Sequence, residues 1–245
     1  MNLFIKAAVI LVSLSALLLV AFSAPLHKFG VIDLGASFMG FKYGVYTGLA
    51  ALFTLIVVLI LQFLFKRKII TFANAATVIV FAGVAVAVPL TMMNRGSSVP
   101  PIHDISTDMV NPPEFVAILP LRADAPNPPE YEGELSAAQQ RQAYPDLKPL
   151  SYKQPKAELV EAAAQAANNL GWEMVNTDAN QGLVEATDTT TWFGFKDDVV
   201  IRIQDNGDKR VVDIRSKSRM GASDLGKNAE RIRGFIKEFD GVLEQ

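Results

Sequence analysis

Three long apolar runs near the N-terminus constrain this chain more than any other feature. They extend over residues 7–25, 43–65 and 69–93. Each is close to the roughly 20 residues that a helix needs to cross the hydrocarbon core of a bilayer. The second run contains no charged residue, and neither does the third; one charge at the centre of a bilayer costs about 2.5–3.5 kcal/mol on insertion scales. Residues 1–93 are therefore predicted to form three transmembrane helices.

The positive charges predict how these helices are oriented. The tightest basic cluster is Lys66-Arg67-Lys68, in the short loop between the second and third runs. Short positive loops stay in the cytoplasm, so the N-terminus with Lys6 is expected inside as well. The loop 27–42 and everything after residue 93 are then expected on the outer side of the membrane.

Two features of the hydrophobic third leave alternatives open. The first run is predicted to be a retained span, but residues 1–23 could also be a signal peptide that is cleaved after Ala21-Phe22-Ser23. The loop 27–42 is apolar and rich in glycine. It could be a flexible loop with aromatic residues at the level of the headgroups, or it could re-enter the bilayer.

Composition narrows the classes of function. The formal net charge is -2, and there is no cysteine. A nearly neutral chain lacks the basic face of a nucleic-acid-binding protein, so no nucleic acid partner is expected. Without cysteine the chain has no disulfide and no thiolate metal site. Neither a metal nor a cofactor is predicted.

Residues 94–150 form a proline-rich segment that follows the third run. Proline fixes φ and lacks an N–H donor, so an extended connector is predicted here. Within it His103 lies beside Asp104, with Asp108 nearby. These side chains could bind a ligand, act in catalysis or hold a metal, whereas the simpler interpretation is that the two aspartates cap local turns.

Residues 151–245 show the regular periodicity of a small soluble α+β domain. A helix is predicted from about Pro155, and a second helix, with a continuous apolar stripe, from near Ser223. Between them, four strands are predicted at 172–175, 182–187, 195–204 and 210–218. The expected fold is a four-stranded antiparallel sheet with both helices packed on one face.

The densest polar cluster lies at the end of the fourth predicted strand. Arg215, Ser216, Ser218 and Arg219 precede a helix N-terminus there and could bind a phosphate or carboxylate. Alternatively, Asp224 pairs with Arg219 and the cluster is a structural clamp. The aromatic side chains of Trp192 and Phe195 are typical of core packing, but they could also line an apolar ligand site or contact lipid headgroups.

Four blocks of sequence occur in this order: Pro101–Asp108, Tyr144–Leu147, Phe193–Val199, and Val212–Arg219 with Ser223–Ile232. Together they resemble the bacterial domain-of-unknown-function family 1499. The resemblance covers about residues 100–240 and is most specific in its last two blocks. It implies where the domain begins and ends and agrees with N-terminal spans, which some members carry. It implies no activity.

Together these patterns favour a binding protein over an enzyme. The spans would anchor the α+β domain on the periplasmic side of the bacterial inner membrane. There it would bind an envelope protein, or an anionic or lipid-like ligand, at the bilayer. The alternative is a membrane-tethered hydrolase or isomerase that uses His103 and Asp104 with Arg215 and Arg219.

Overall fold

A computed structural model describes residues 2–244 of the chain. It divides into two compact units. Unit 1 comprises Met1–Asn94 together with the four residues Thr191–Gly194, and unit 2 comprises Arg95–Thr190 and Phe195–Gln245.

Unit 1 is built from three apolar helices, as the sequence predicts. They are α1 (Asn2–Lys28), α2 (Leu34–Leu64) and α3 (Phe72–Ser98), and the last turn of α3 counts with unit 2. All three are long and apolar enough to cross a membrane. The connection between α1 and α2 is shorter than the predicted loop 27–42, because α2 already begins at Leu34. The Asp33 carboxylate fixes that start by accepting the Ala36 N–H at 2.7 Å.

Small residues bring α1 and α2 into close contact. Three glycines of α2 recur every fourth residue, at Gly40, Gly44 and Gly48. A methyl group on Gly44 would come within 2.5 Å of Val20 in α1, and one on Gly48 within 3.2 Å of the Ala82 carbonyl oxygen in α3. Transmembrane helices associate through such small-residue faces because lipid tails provide no hydrophobic drive for helix association.

Unit 2 contains a six-stranded antiparallel sheet, three helices and a 3-10 turn. Its elements, in chain order, are β1 (Asp104–Ser106), the 3-10 turn (Leu119–Arg122), α4 (Glu134–Ala143), β2 (Leu150–Tyr152), α5 (Lys156–Asn169), β3 (Glu173–Asp178), β4 (Leu183–Thr189), β5 (Lys196–Asn206), β6 (Lys209–Ser218) and α6 (Lys227–Leu243). The sheet order is β1-β6-β5-β4-β3, and β2 also pairs with β6.

The prediction of a four-stranded sheet is wrong, since the structure has six strands. The two extra strands, β1 and β2, are each three residues long and both pair with the same edge of β6. Three residues are too few to show a period of two, and β1 lies in the proline-rich segment predicted as an extended connector. That segment also supplies α4, whose Gln140 side chain hydrogen-bonds both the N–H and the C=O of Ser106.

The apolar core lies between one face of the sheet and helices α5 and α6. Successive strand residues point to opposite faces, so Val199, Ile201 and Ile203 of β5 face the helices together with Val212 and Ile214 of β6. From the helices, alanines of α5 and the aromatic rings of α6 complete this core. Phe235 stacks on Trp172 with ring centroids 5.6 Å apart. Helix α6 begins at Lys227 rather than near Ser223, because residues 223–226 form a separate turn before it.

Gly182 provides a sharp test of how β4 begins. It has φ +69°, and a Cβ there would lie 2.1 Å from the carbonyl oxygen of Ile203, on the neighbouring strand. Gly182→Ala should therefore lower the free energy of unfolding by about 3 kcal/mol or more, through left-handed strain and a backbone clash. The measurement is urea unfolding of the full-length protein in detergent, followed by Trp172 fluorescence in a Trp192→Phe background.

Gly207→Ala is the matched control. Gly207 also has a positive φ, +60°, but a methyl group added there, in the β5–β6 turn, would meet nothing within 4 Å. Strain alone should cost about 1–2 kcal/mol at this position. Equal losses for the two variants would contradict the close approach of Gly182 to β5.

Candidate functional site

The face of the sheet opposite the helices carries charged side chains rather than an apolar core. Along β6 the side chains alternate, so Asp213, Arg215 and Lys217 share this face while Ser216 and Ser218 point to the helices. All five are buried. A segment of residues 107–131, here called the strap, covers the charged face.

Asp104 of β1 is the centre of the first ion cluster. Its carboxylate accepts two hydrogen bonds from the Arg215 guanidinium, at 2.9 and 2.8 Å, and a third from the Lys217 ammonium at 3.0 Å. Asp104 and Lys217 are completely buried, and Arg215 is 2% exposed. Burial lowers the pKa of Lys217, and the neighbouring Asp104 carboxylate raises it in opposition. One carboxylate therefore holds two buried cations in place.

Asp198 of β5 organises a second cluster. It accepts Arg122 Nη1 of the strap at 2.6 Å and two guanidinium nitrogens of Arg219, at 2.9 and 2.8 Å. Thr187 completes its partners by donating its hydroxyl at 2.7 Å. Burial lowers the pKa of Arg122, whereas the Asp198 carboxylate raises it. This pair fixes the one basic residue of the strap against the sheet.

Two further carboxylates attach the strap to the sheet. Glu185 of β4 is completely buried and accepts backbone N–H groups of residues 116, 117 and 118, at 2.8, 2.7 and 3.4 Å. Arg202 bridges Asp108 of the strap and Asp213 of β6, with both distances 3.0 Å. The layer thus contains five cations and five carboxylates, here called the charge layer: Arg122, Arg202, Arg215, Lys217, Arg219, Asp104, Asp108, Glu185, Asp198 and Asp213.

The cations of the charge layer also bind carbonyl oxygens of the strap. Arg215 donates to the carbonyls of Pro113 and Pro129, at 3.1 and 2.8 Å, and Lys217 donates to that of Glu130 at 2.7 Å. The Arg215 guanidinium also lies over the rings of Phe115 and Tyr131, 4.8 and 5.5 Å from their centroids. The strap is therefore fastened along its length by side chains of β6.

The serines of β6 join a different polar group on the helix side. Ser216 Oγ donates to Asn228 Oδ1 at 2.7 Å, and Asn228 Nδ2 donates to Ser218 Oγ at 3.0 Å. Arg231 of α6 pairs with Asp197 at 2.6 Å and with Asp188 at 2.8 Å. This network lies on the opposite face from Arg215, so the predicted anion-binding residues do not converge on one point.

Asp224 does not pair with Arg219, contrary to one of the sequence-based alternatives. Its carboxylate accepts the N–H groups of Gly226 and Asn228, both at 2.7 Å, and so caps the start of α6. Burial raises the pKa of Asp224, while these backbone bonds lower it. Arg219 pairs with Asp198 instead.

His103 lies beside β6, although its imidazole points toward the segment before α4. The His103 carbonyl accepts the Ser218 N–H at 3.0 Å and Asn228 Nδ2 at 2.9 Å. Its Nε2 atom is 3.0 Å from Glu132 Oε1 but without hydrogen-bond geometry. Ser136 Oγ is also buried without a hydrogen-bond partner, next to Glu132 along a shallow recess. Among residues 2–244, no group of three His, Cys, Asp or Glu residues could hold a metal ion.

The remaining predicted residues are divided between the two units. Trp192 belongs to unit 1, where its indole packs with Phe41, whereas Phe195 belongs to unit 2 and donates its N–H to Thr190 Oγ1 at 2.8 Å. Asp108 caps the turn that follows it by accepting the N–H groups of Val110 and Asn111. These backbone contacts match the turn-capping interpretation of Asp108. Arg202 is an additional partner of its carboxylate.

Sequence reasoning missed Arg122 and Glu185 as members of the charge layer. One signal was present: Arg122 is the only basic residue among residues 107–132, which include five acidic ones. A lone cation in an acidic, proline-rich segment indicates a specific carboxylate partner. Its partner could not be identified, because 76 positions separate Arg122 from Asp198.

The outer surface of the strap exposes apolar side chains, whereas its buried side contacts charged side chains of the sheet. Val110 is 96% exposed, and Val116, Leu119 and Leu121 are 53%, 44% and 52% exposed. Acidic residues alternate with them along the chain, since Glu114, Asp124 and Glu130 are also exposed, whereas Arg122 is buried. The strap thus exposes apolar and acidic residues, and its backbone is held by the charge layer.

Neutralising Asp104 tests how far the strap depends on the charge layer. Asp104→Asn keeps the shape of the side chain but leaves the buried Arg215 and Lys217 without an anion. Removing one partner of a buried ion pair costs about 3–5 kcal/mol, so the free energy of unfolding should fall by that amount. Urea unfolding of the full-length protein in detergent measures it, with exposed Asp208→Asn as a control that should stay within about 0.5 kcal/mol.

A second variant keeps this prediction testable if Asp104→Asn does not fold. Lys217→Met removes one cation but leaves the hydrogen-bonded pair of Asp104 and Arg215 intact. It should therefore cost less than Asp104→Asn, although the Glu130 carbonyl loses its donor. A larger loss for Lys217→Met would show that Asp104 is not the centre of the cluster.

Comparison with known proteins places this chain in a family. The model of the family described as "Protein of unknown function (DUF1499)" matches residues 104–239, more than half of the chain. The match begins at the first residue of β1 and ends in α6, so it includes the strap and the complete charge layer. A comparison with curated proteins finds no match. On this match the chain belongs to the DUF1499 family, with three candidate transmembrane helices preceding the family domain.

Proposed function

We propose that this protein is a membrane-anchored binding module of the bacterial cell envelope, which recognises a protein partner through the outer surface of its strap. The observation that carries the proposal is the apolar strap surface, fixed in place by buried ion pairs. Val116, Leu119 and Leu121 are exposed within a stretch of six residues, and exposed apolar residues that lie together on a folded domain are typical of interaction sites. The apolar helices supply the anchor to the bilayer.

Charge favours a protein partner over an anionic lipid at this surface. The strap exposes Glu114, Asp124 and Glu130, and its one basic residue is buried. Phosphate-bearing headgroups would be repelled by these carboxylates. A partner with an apolar centre and a basic border would be complementary, because complementary potentials guide association and exclude wrong partners.

Rigidity of the strap supports the same proposal. Its backbone is fixed through Glu185, and its side chain Arg122 through Asp198. A surface that is already ordered loses little conformational entropy on binding, so more of the contact energy appears as affinity. The charge layer would thus serve recognition indirectly, by holding Val116, Leu119 and Leu121 in a fixed arrangement.

The enzymatic alternative has less support from the geometry. Asp104 would have to give up Arg215 and Lys217 before it could act as a base, and Arg219 already has Asp198 as a partner. Binding of an anionic ligand by Arg215 or Arg219 would likewise compete with these carboxylates. Both the enzymatic role and the anion site stay predictions.

The proposed orientation puts the family domain in the periplasm and the Lys66–Lys68 loop in the cytoplasm. Since the chain has no cysteine, single introduced thiols report their side of the membrane without background. Phe65→Cys and Asp208→Cys are both at exposed positions. With a membrane-impermeant maleimide on spheroplasts, Asp208→Cys should be labelled and Phe65→Cys only after lysis. The reverse pattern would overturn the periplasmic location.

The partner proposal can be tested by photocrosslinking in native membranes. A photoreactive p-benzoyl-phenylalanine in place of Leu121 or Val116 should give one discrete protein adduct of the full-length chain. The same group in place of exposed Asp208 should not give it. Leu119→Arg should abolish the adduct, because it puts a cation into the apolar centre of the surface.

Three outcomes would contradict the partner proposal. The first is the absence of a discrete protein adduct from either strap position. The second is the same adduct from Asp208, which would mean that contact is unspecific. The third is an adduct of twice the mass of the protein, which would assign the surface to a second copy of this chain instead.

A further inference from the structure

The loop between β4 and β5 contributes an aromatic tip to unit 1. Thr190 and Phe195 close the loop, since the Thr190 N–H donates to the Phe195 carbonyl and the Phe195 N–H to Thr190 Oγ1, both at 2.8 Å. The four residues between them, Thr191–Gly194, cluster with α1 and α2. Trp192 and Phe193 form the tip of this loop.

Polar contacts fasten the loop to α1. The Lys28 ammonium donates to the Thr191 carbonyl at 3.0 Å, and the Trp192 indole N–H donates to the Ala21 carbonyl at 3.4 Å. Gly194 has φ +73°, and a Cβ there would lie 2.7 Å from Cγ of Lys28. Only glycine combines this backbone conformation with so close an approach to the lysine stem.

Aromatic rings of the loop stack with rings of α2. The Trp192 ring centroid lies 5.2 Å from that of Phe41, and Phe193 lies 5.5 Å from Phe41 and 5.8 Å from Phe38. Trp192 also packs against a small cluster formed by Ala16, Val20 and Ala85. These four rings, Phe38, Phe41, Trp192 and Phe193, are here called the aromatic cluster.

The position of the cluster along α1 indicates its depth. Ala21 precedes the last residue of α1, Lys28, by seven positions, so the indole N–H binds about 10 Å below the end of the helix. The candidate span extends to Lys28, which puts Trp192 below the terminal lysine and above the middle of the span. Tryptophan is enriched at this level of a bilayer, since its ring is apolar and its N–H is polar.

We propose that the aromatic cluster is an interfacial membrane anchor, which inserts at the boundary between phosphate headgroups and acyl chains. Its chemistry matches that boundary. Phe38 and Met39 are 52% and 54% exposed on α2, and their apolar surface suits the acyl side. Lys28, the last residue of α1, suits the phosphate side, because anionic headgroups attract basic groups close to the surface.

This anchor adds to the proposed function, because a loop of the family domain, and not only the spans, contacts lipid. It rests on the proposed insertion of the helices but is independent of the partner bound by the strap. Trp192 and Phe193 would stabilise the outer ends of α1 and α2 by filling the space beside Val20 and Phe41. The lipid would cover the ring edges that the helices leave exposed.

Tryptophan fluorescence can test the anchor, because the chain has two tryptophans in different units. Trp172 lies in the core of unit 2, stacked on Phe235, and Trp192 lies in the aromatic cluster. Full-length Trp172→Phe reports on Trp192, and Trp192→Phe reports on Trp172. Both are reconstituted in vesicles of phosphatidylcholine with phosphatidylglycerol, in which the acyl chains are brominated near the headgroup or near their ends.

Emission from Trp192 should be blue-shifted and should lose most intensity with the shallow bromines. Deep bromines should quench it less, and emission from Trp172 should be nearly unchanged by either lipid. If Trp172→Phe does not fold, the difference between wild-type and Trp192→Phe spectra gives the same quantity. Absence of quenching of Trp192, or stronger quenching by the deep bromines, would overturn the interfacial anchor.

A third reporter separates failure of the anchor from failure of membrane insertion. Phe53, near the middle of α2, is 69% exposed, so Phe53→Trp with both native tryptophans replaced by Phe should be quenched by deep bromines. If Phe53→Trp is quenched and Trp192 is not, the helices insert but the anchor is wrong. If neither is quenched, the proposed membrane anchoring fails, and the interfacial anchor fails with it.

Discussion

The fold of the family domain depends on pairing charges that it buries. Asp104, Glu185 and Asp198 are completely excluded from solvent, so each would be strongly destabilising without its donors. Each finds those donors on another element: Asp104 on β6, Glu185 on the strap, and Asp198 on the strap and on Arg219, which directly follows β6. Since removing one partner leaves a bare charge in the interior, the ion pairs specify the strap's path more strictly than apolar contacts could.

Proline makes such a strap possible. A covering segment must satisfy its buried backbone groups, and proline has a carbonyl but no N–H. Pro113 and Pro129 present their carbonyls to Arg215 without leaving a donor unpaired. Arginine is suited to this position, because one planar guanidinium binds a carboxylate and two carbonyls together. Cations on the sheet and prolines on the strap are therefore two parts of one arrangement, which leaves the apolar side chains of the strap facing outward.

The sequence predicted periodic elements well and long-range pairings poorly. The three apolar helices and the antiparallel α+β region follow from patterns that repeat within one segment, as in β5 and α6. The strands β1 and β2 do not, because three residues show no period and their partner on β6 is distant in the chain. Likewise, nothing local indicated Asp104 as the partner of both Arg215 and Lys217. Some of the residues that were predicted to form a binding site therefore belong to the charge layer.

The two units solve the problem of close packing with different chemistry. In unit 1, Gly40, Gly44 and Gly48 let helix backbones approach, since lipid provides no hydrophobic drive between helices. In unit 2, ion pairs fill one face of the sheet, where each buried charge needs an opposite charge or a hydrogen-bond partner. Thr191–Gly194 is the exception, since it connects two strands of the family domain but packs with the apolar helices of unit 1. Its tryptophan stacks with a ring of α2 and binds α1, and its glycine lies against a lysine of α1. These contacts with apolar helices explain why a strand-to-strand connection carries aromatic residues at its tip.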